Sequence, residues 1–371
     1  MLSRPRIVAP DTAHWARWID DALSSDSGRR GPALGFHDRL LAQGRLPLLT
    51  WHHLEELLCV SSAPNAAARA EFIRSIPMLA LMAMPGEVLG AGAVTDILAA
   101  EAIAAHEGAN STGEVRDRAR AMLLRVGTGA DAIGSEARVW DVARIAMLEG
   151  KPHSGMVAAL SELPGIDASQ TFGAVASQRR TSPEERLKAL AEARTNAYAE
   201  ALAADPDGSV TQASAFADAF VSRMIELLPP DDMSPREVMT QTYRSQGLDD
   251  HEIRDDATID ELSTLATFRT QLRVVSAKTG LSFEQLKRIP DNLLPSRRIA
   301  QALRRHGQKR AVRPASDMHD RALATLAAYV DVLYVDKRTH EDFLRMTRQE
   351  KDLAALLGTV EKTSSYLSIA E

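Results

Sequence analysis

The chain has 371 residues, 45% hydrophobic and 25% charged, enough for a sizeable core and one to three domains. Its formal net charge of -6, from 44 basic and 50 acidic residues, argues against a general nucleic-acid coat but leaves room for a local basic groove. One cysteine, Cys59, excludes an intrachain disulfide framework and a cysteine-built zinc cluster, and no stretch approaches the ~18 apolar residues that span a bilayer. With no long apolar segment at its start, the chain reads as cytoplasmic.

In chain order, Arg6-Ile7-Val8-Ala9-Pro10-Asp11 reads as a short strand ending at Asp11. A helix over 13–23 follows, with Trp15, Trp18 and Ile19 as its buried stripe. A polar, glycine-containing loop is expected at 24–32 and a helix at 36–43. Leu46-Pro47-Leu48-Leu49-Thr50 is the second strand, its proline marking a strand start or a sheet edge. Trp51-His52-His53-Leu54-Glu55-Glu56 opens a helix, and 66–75 forms another. The apolar run 77–83, bounded by prolines, is a third strand, and 94–105 is a helix capped by Thr95 or a neighbour.

From about 110 to 307 the pattern is helix after helix with no strand. Ser182, Ser234 and Ser282 each stand three residues before a Glu or Gln, the spacing by which two side chains satisfy orphan amides at a helix start. Breaks are expected at 127–129, 205–208, 229–232 and 247–250. The strand signal returns only after Pro314, in Val330-Asp331-Val332-Leu333-Tyr334-Val335, closed by Asp336. The economical layout is an α/β domain with a central parallel sheet made from both chain ends, 1–108 and 314–371, around an all-helical insertion at 109–313.

Four acids fall at matching places. Asp11 and Asp336 end strands, Glu56 lies in the helix after the second strand, and Asp320 opens the helix before the last strand. Ligands bind open α/β sheets at the carboxyl ends of strands. Carboxylates gathered there repel one another unless cations neutralise them. Mg²⁺ or Mn²⁺ are natural occupants, able to activate water for in-line attack on phosphate. Asp317 and Asp96 are rivals for the role of Asp320. Each of these acids also has a plain reading, as a helix cap or a solvated side chain. His52 and His53, adjacent and therefore about 100° apart on a helix, read as packing or surface residues rather than as a shared metal pair.

Asp11-Thr12, Thr50 with Glu56-Leu57, Asp320-Arg321-Ala322-Leu323-Ala324 and Val332 to Asp336 resemble, in order, the four acidic motifs of the PIN (PilT N-terminus) nuclease family. Val335 stands where that family usually has a Thr. The resemblance covers roughly the first 105 and the last 60 residues. It implies a PIN-like three-layer fold and a metal-dependent endoribonuclease of the kind found in bacterial toxins and RNA-processing enzymes, with Asp11, Glu56, Asp320 and Asp336 as catalytic metal ligands.

A basic tract, Arg297, Arg298, Arg304, Arg305, Lys309, Arg310 and Arg313, runs to Ser316 without an acid. It reads as a solvated face or as a phosphate-contacting ridge, chiefly Arg304, Arg305, Lys309 and Arg310, joined by Lys337 and Arg338 beside Asp336. The insertion would then cover the cleft, select RNA or bind an antitoxin-like or regulatory protein. A different class of function, a non-catalytic interaction protein on a degenerate PIN-like scaffold, uses the same insertion as its partner-binding part.

Overall fold

A computed structural model describes residues 4–83, 91–134, 140–148, 167–178, 182–204, 209–226, 233–308 and 323–371. The chain divides into two compact units, one of Met1–Leu163 with Gln271–Glu371 and one of Pro164–Thr270. The expected insertion at 109–313 is thus larger than the unit that separates: its two ends belong with the sheet.

The first unit is α/β. Its strands are β1 (Arg6–Ala9), β2 (Arg45–Leu49), β3 (Leu79–Met82), β4 (Leu124–Gly127), β5 (Val332–Val335) and β6 (Thr359–Lys362). They form one sheet in the order β4-β3-β2-β1-β5-β6, parallel throughout except that β4 runs antiparallel to β3. β3 and β5 are buried at every residue, β1 and β2 at all but the first. Parallel strands covered on both faces need such unbroken apolar runs, which is why Leu79-Ala80-Leu81-Met82 shows no alternation. The two edge strands are mostly exposed and carry Arg125, Glu361 and Lys362, charges that discourage edge-to-edge pairing.

Around the sheet pack α1 (Thr12–Ala22), α2 (Ser27–Leu34), α3 (Phe36–Ala42), α4 (Trp51–Leu58), α5 (Ala63–Ser75), α6 (Val94–His106), α7 (Thr112–Leu123) and α8 (Gly129–Ile133). Trp15, Trp18 and Ile19 are buried, as the helical stripe of α1 predicts, against Phe36, Leu40, Leu54 and Leu57. The Trp18 indole donates to the Ala33 carbonyl at 2.9 Å, so its polar edge is satisfied inside the core. Cys59 is buried and not in a disulfide.

Three expectations are corrected here. The 24–32 segment is largely helical: Asp26 caps α2 through Gly28 N–H, and Pro32 lies inside the short helix. Pro47 is on an interior strand. β2 meets β1 along Arg45–Pro47 and β3 along Leu48–Leu49, so the proline sits where one ladder ends and before the other begins. The third correction is β4, which interrupts the expected all-helical middle. It lies on β3, and Gly129 just beyond it approaches so closely that a Cβ would stand 1.7 Å from the Ile73 carbonyl oxygen. The cap of α6 falls on neighbours of Thr95, within the expectation: Ala93 is the cap residue and the Asp96 carboxylate accepts from its N–H at 2.6 Å.

The second unit is helical among its described residues. It holds α9 (Phe172–Ala176), α10 (Pro183–Ala204), α11 (Val210–Glu226), α12 (Pro235–Ser245) and the first half of α13 (Ile259–Thr279). The rest of α13, α14 (Phe283–Lys287) and α15 (Pro295–His306) return to the first unit, followed after β5 by α16 (Lys337–Gln349). All three serine caps form as spaced, with Ser182, Ser234 and Ser282 bonding the amides of Glu185, Glu237 and Gln285. The expected breaks at 205–208 and 229–232 lie outside the described residues.

Candidate functional site

Strand order explains where a site belongs. From β1 the chain moves through β2 to β3 on one side, whereas β5 pairs on the other side of β1. The connections therefore diverge at the β1/β5 boundary, where open parallel sheets leave a crevice at the carboxyl ends of their strands. The register pairs Ala9 with Leu333, so Asp11 and Asp336 lie two and three residues past the last rung, on neighbouring chains. A small open cleft lies here, lined by Pro10, Asp11, His53, Leu326, Tyr334, Asp336 and Thr339 among others.

Asp11 is half-buried at the start of α1, and its Oδ1 accepts from Ala13 N–H at 2.9 Å. Burial pushes its carboxyl above the ordinary aspartate range. The Ala13 amide and His14 oppose the rise, while the negative charges of Glu56 and Asp336 add to it. Three of the four acids, from the end of β1, from α4 and from the end of β5, therefore lie within electrostatic reach of one point. Asp336 is exposed and caps α16, its Oδ1 accepting from Thr339 N–H at 2.6 Å. Both aspartates are thus helix caps, as the plain reading has it, and each cap uses only one carboxylate oxygen.

Among the described residues no three His, Cys, Asp or Glu side chains stand close enough together to hold one metal ion. The acids present match a hard cation in charge and donor type, but the described set alone is not a complete cage. Asp320, Asp317, Lys309 and Arg310 lie outside the described residues. Asp96 is committed elsewhere: it is 1% exposed, pairs with Lys278 and holds Ala93 N–H.

The basic residues are partly matched by acids, one of them distant in sequence. Arg305 meets Glu350 at 2.8 Å, the same carboxylate that faces His306 at 3.0 Å, and Arg297 faces Asp291 at 3.6 Å. Arg304 also has an interaction partner. Lys337 and Arg338 are exposed beside Asp336.

Two residues gain weight that their sequence reading did not give them. His53 is 1% exposed and lines the cleft with Pro10 and Asp11, its Nδ1 accepting from Thr50 N–H at 3.1 Å. Burial holds its pKa at about 4, with Glu56 pulling weakly the other way. The signal was there in a Thr-x-x-His spacing, a helix-start box with His in the place of Glu. Glu101 of α6 is fully buried and receives Ser296 N–H at 2.7 Å, the Ser296 hydroxyl at 2.6 Å and the Tyr329 hydroxyl at 2.5 Å. Burial raises its pKa to about 7 against the pull of those three donors. An acid inside Ala99-Ala100-Glu101-Ala102 was its only trace in the sequence.

Comparison with protein-family models, with curated proteins and with solved structures found no match for the chain. Functional assignment therefore rests on the geometry of this edge. Among the described residues no helix is long and apolar enough to cross a membrane.

Proposed function

We propose that the chain is a divalent-cation-dependent phosphodiesterase acting on RNA, on a PIN-like α/β unit. The observation that carries the reading is the gathering of Asp11, Glu56 and Asp336 from three separate elements at the strand-order reversal, beside a cleft. Acids are not needed in such numbers to cap two helices, and mutual repulsion makes their meeting costly without a positive occupant. The negative charge of Asp11, Glu56 and Asp336 would draw Mg²⁺ or Mn²⁺ to this edge, and Asp320, the fourth acid, would complete a ligand set that the described acids alone do not form. The cation supplies charge neutralisation at the phosphate and a lower pKa for water.

The chain's own groups do the rest. Capping by Ala13 and Thr339 amides fixes one oxygen of each aspartate and so orients the other. Lys337 and Arg338, exposed on the first turn of α16, provide phosphate-binding charge next to Asp336. The apolar wall of Leu323, Leu326 and Val335 limits water at that end of the cleft.

The test is cleavage of a labelled single-stranded RNA with and without Mn²⁺. Wild-type protein should cleave only with the metal, and Asp336→Asn should not cleave. Metal-independent cleavage, or equal activity of the variant, would sink the reading. A second reading, an interaction protein on a catalytically silent scaffold, is favoured by one observation: both aspartates already serve as caps and the described acids do not form a three-ligand set. It predicts no Mn²⁺ binding at this edge.

A further inference from the structure

We propose that Glu101 is the bolt of a protonation-dependent latch: it fastens the start of α15 and the segment leading into β5 onto α6 while it carries a proton, and loosens them when the proton leaves. The inference is independent of the carboxylate edge proposed above.

Glu101 is fully buried midway along α6. Its partners come from 195 and 228 residues later in the chain. Ser296 N–H and the Tyr329 hydroxyl both meet Oε1, at 2.7 and 2.5 Å, and the Ser296 hydroxyl meets Oε2 at 2.6 Å. Ser296 is in the first turn of α15, and Tyr329 lies between the Thr325–Ala328 turn and β5. α15 packs on both that turn and α6. One carboxyl group therefore joins three segments inside the core.

The bonding pattern survives protonation. An amide N–H can only donate, so Oε1 accepts from Ser296 N–H in either state, whereas each hydroxyl can donate or accept. With the proton on Oε2, the acid donates to Ser296 Oγ and Tyr329 goes on donating to Oε1. All three contacts persist and the group is neutral. Without the proton, the same contacts enclose a full negative charge among three neutral donors, which is the costly case.

Charged side chains of the surrounding elements are engaged with other partners. On α6 itself, Asp96 pairs with Lys278 of α13. On α7, Arg116, whose charge reaches Tyr329, bonds Asp117 and the Leu356 carbonyl, and Arg118 bonds Glu114. On α15, Arg297 faces Asp291 and Arg298 meets the Thr112 hydroxyl. Burial accordingly lifts the Glu101 carboxyl from 4.5 to about 7. Opening returns the acid to water and to its ordinary value. The latch is therefore tightest below pH 4.5 and weakens as pH rises toward 7. The helix it releases, α15, carries Arg297, Arg298, Arg304 and Arg305.

Hydrogen exchange of the full chain, read by mass spectrometry at stepped pH and corrected for intrinsic amide rates, tests this. Glu101→Gln imitates the protonated acid at every pH, since its oxygen accepts and its nitrogen donates to Ser296 Oγ. Between pH 5 and pH 7, opening of α15 and of 325–330 should rise about tenfold or more in wild-type protein and stay flat in the variant. Amides of β1 and β2 should follow one course in both proteins. Tyr329→Phe removes a donor to the charged form and should move the wild-type transition to higher pH. Equal pH dependence in wild type and Glu101→Gln, or a difference spread evenly over the sheet, would overturn the latch. Should Glu101→Gln fail to fold, Tyr329→Phe decides alone: an unmoved transition overturns the proposal.

Discussion

Two places in the first unit bring carboxylates into partly desolvated surroundings, and they do so to opposite ends. At Glu101 one acid meets three donors from two other segments, and both of its oxygens are engaged. At the β1/β5 edge, Asp11 meets one amide and two further acids, and burial and like charge push its pKa up together. The first arrangement is closed, because every donor has its acceptor. The second sets three acids within electrostatic reach of one another, with His14 opposing the rise at Asp11. Completeness of local pairing, rather than burial or acidity alone, separates an acid that joins helices from one available to a ligand.

The sharpest way to break this comparison is exchange of acid for amide at both places. Asp11→Asn and Asp336→Asn should lower Mn²⁺-dependent RNA cleavage by about 100-fold or more, while melting temperature stays nearly constant, since Asn caps a helix as well as Asp. Cleavage rates and unfolding curves check this together. Glu101→Ala should show the reverse pattern. It strands the Ser296 amide, the Ser296 hydroxyl and the Tyr329 hydroxyl in a dry interior and should cost roughly 3 kcal/mol or more in urea unfolding. Loss of activity in folded Glu101→Ala protein, with no loss of stability, would erase the distinction.

The pH dependence of stability sharpens it further. Glu101 has its folded pKa raised from 4.5 to about 7. The folded form therefore holds the proton more tightly, and the associated stability is full below pH 4.5 and lost as pH rises toward 7. His53 has its folded pKa lowered from 6.5 to about 4. Its contribution is full above pH 6.5 and lost as pH falls toward 4. Each swing is about 3 kcal/mol, and over pH 4.5–6.5 the two slopes oppose. Glu101→Gln should therefore expose a stability that falls on acidification through that window, measurable by urea unfolding at stepped pH.

The smallest effect belongs at the rim. Lys337→Gln or Arg338→Gln should reduce the slope of log RNA affinity against log salt by about 0.7 per phosphate contact removed. Arg305→Ala, which breaks an exposed pair with Glu350, should change stability by less than about 1 kcal/mol.

Periodicity and capping spacing made much of this fold legible in the sequence. The α1 stripe, the three serine caps and the strand closing at Asp336 all stand where their residues point. Features set by distant partners were not legible. β4 and β6 carry weak strand signals and exist because β3 and β5 offer them an edge. The basic tract reads as unopposed until folding brings Glu350 to Arg305 and His306. Two acids of the site could be listed from strand ends and Glu56 from the helix after the second strand, but the nearness of Asp11 to Asp336 depends on β1 pairing with β5, some 325 residues later in sequence.

That late pairing carries a consequence for how the protein comes into being. β1 lies between β2 and β5, and Asp331 just before β5 accepts Ile7 N–H at 2.7 Å. While a ribosome is still making the middle of the chain, β1 has one flank open and Asp11 has no Asp336 beside it. Segments finished early can fold, yet the edge beside Asp11 is complete only once β5 has been made and has paired with β1. Order of synthesis thus separates the making of this edge's two halves by most of the chain's translation time.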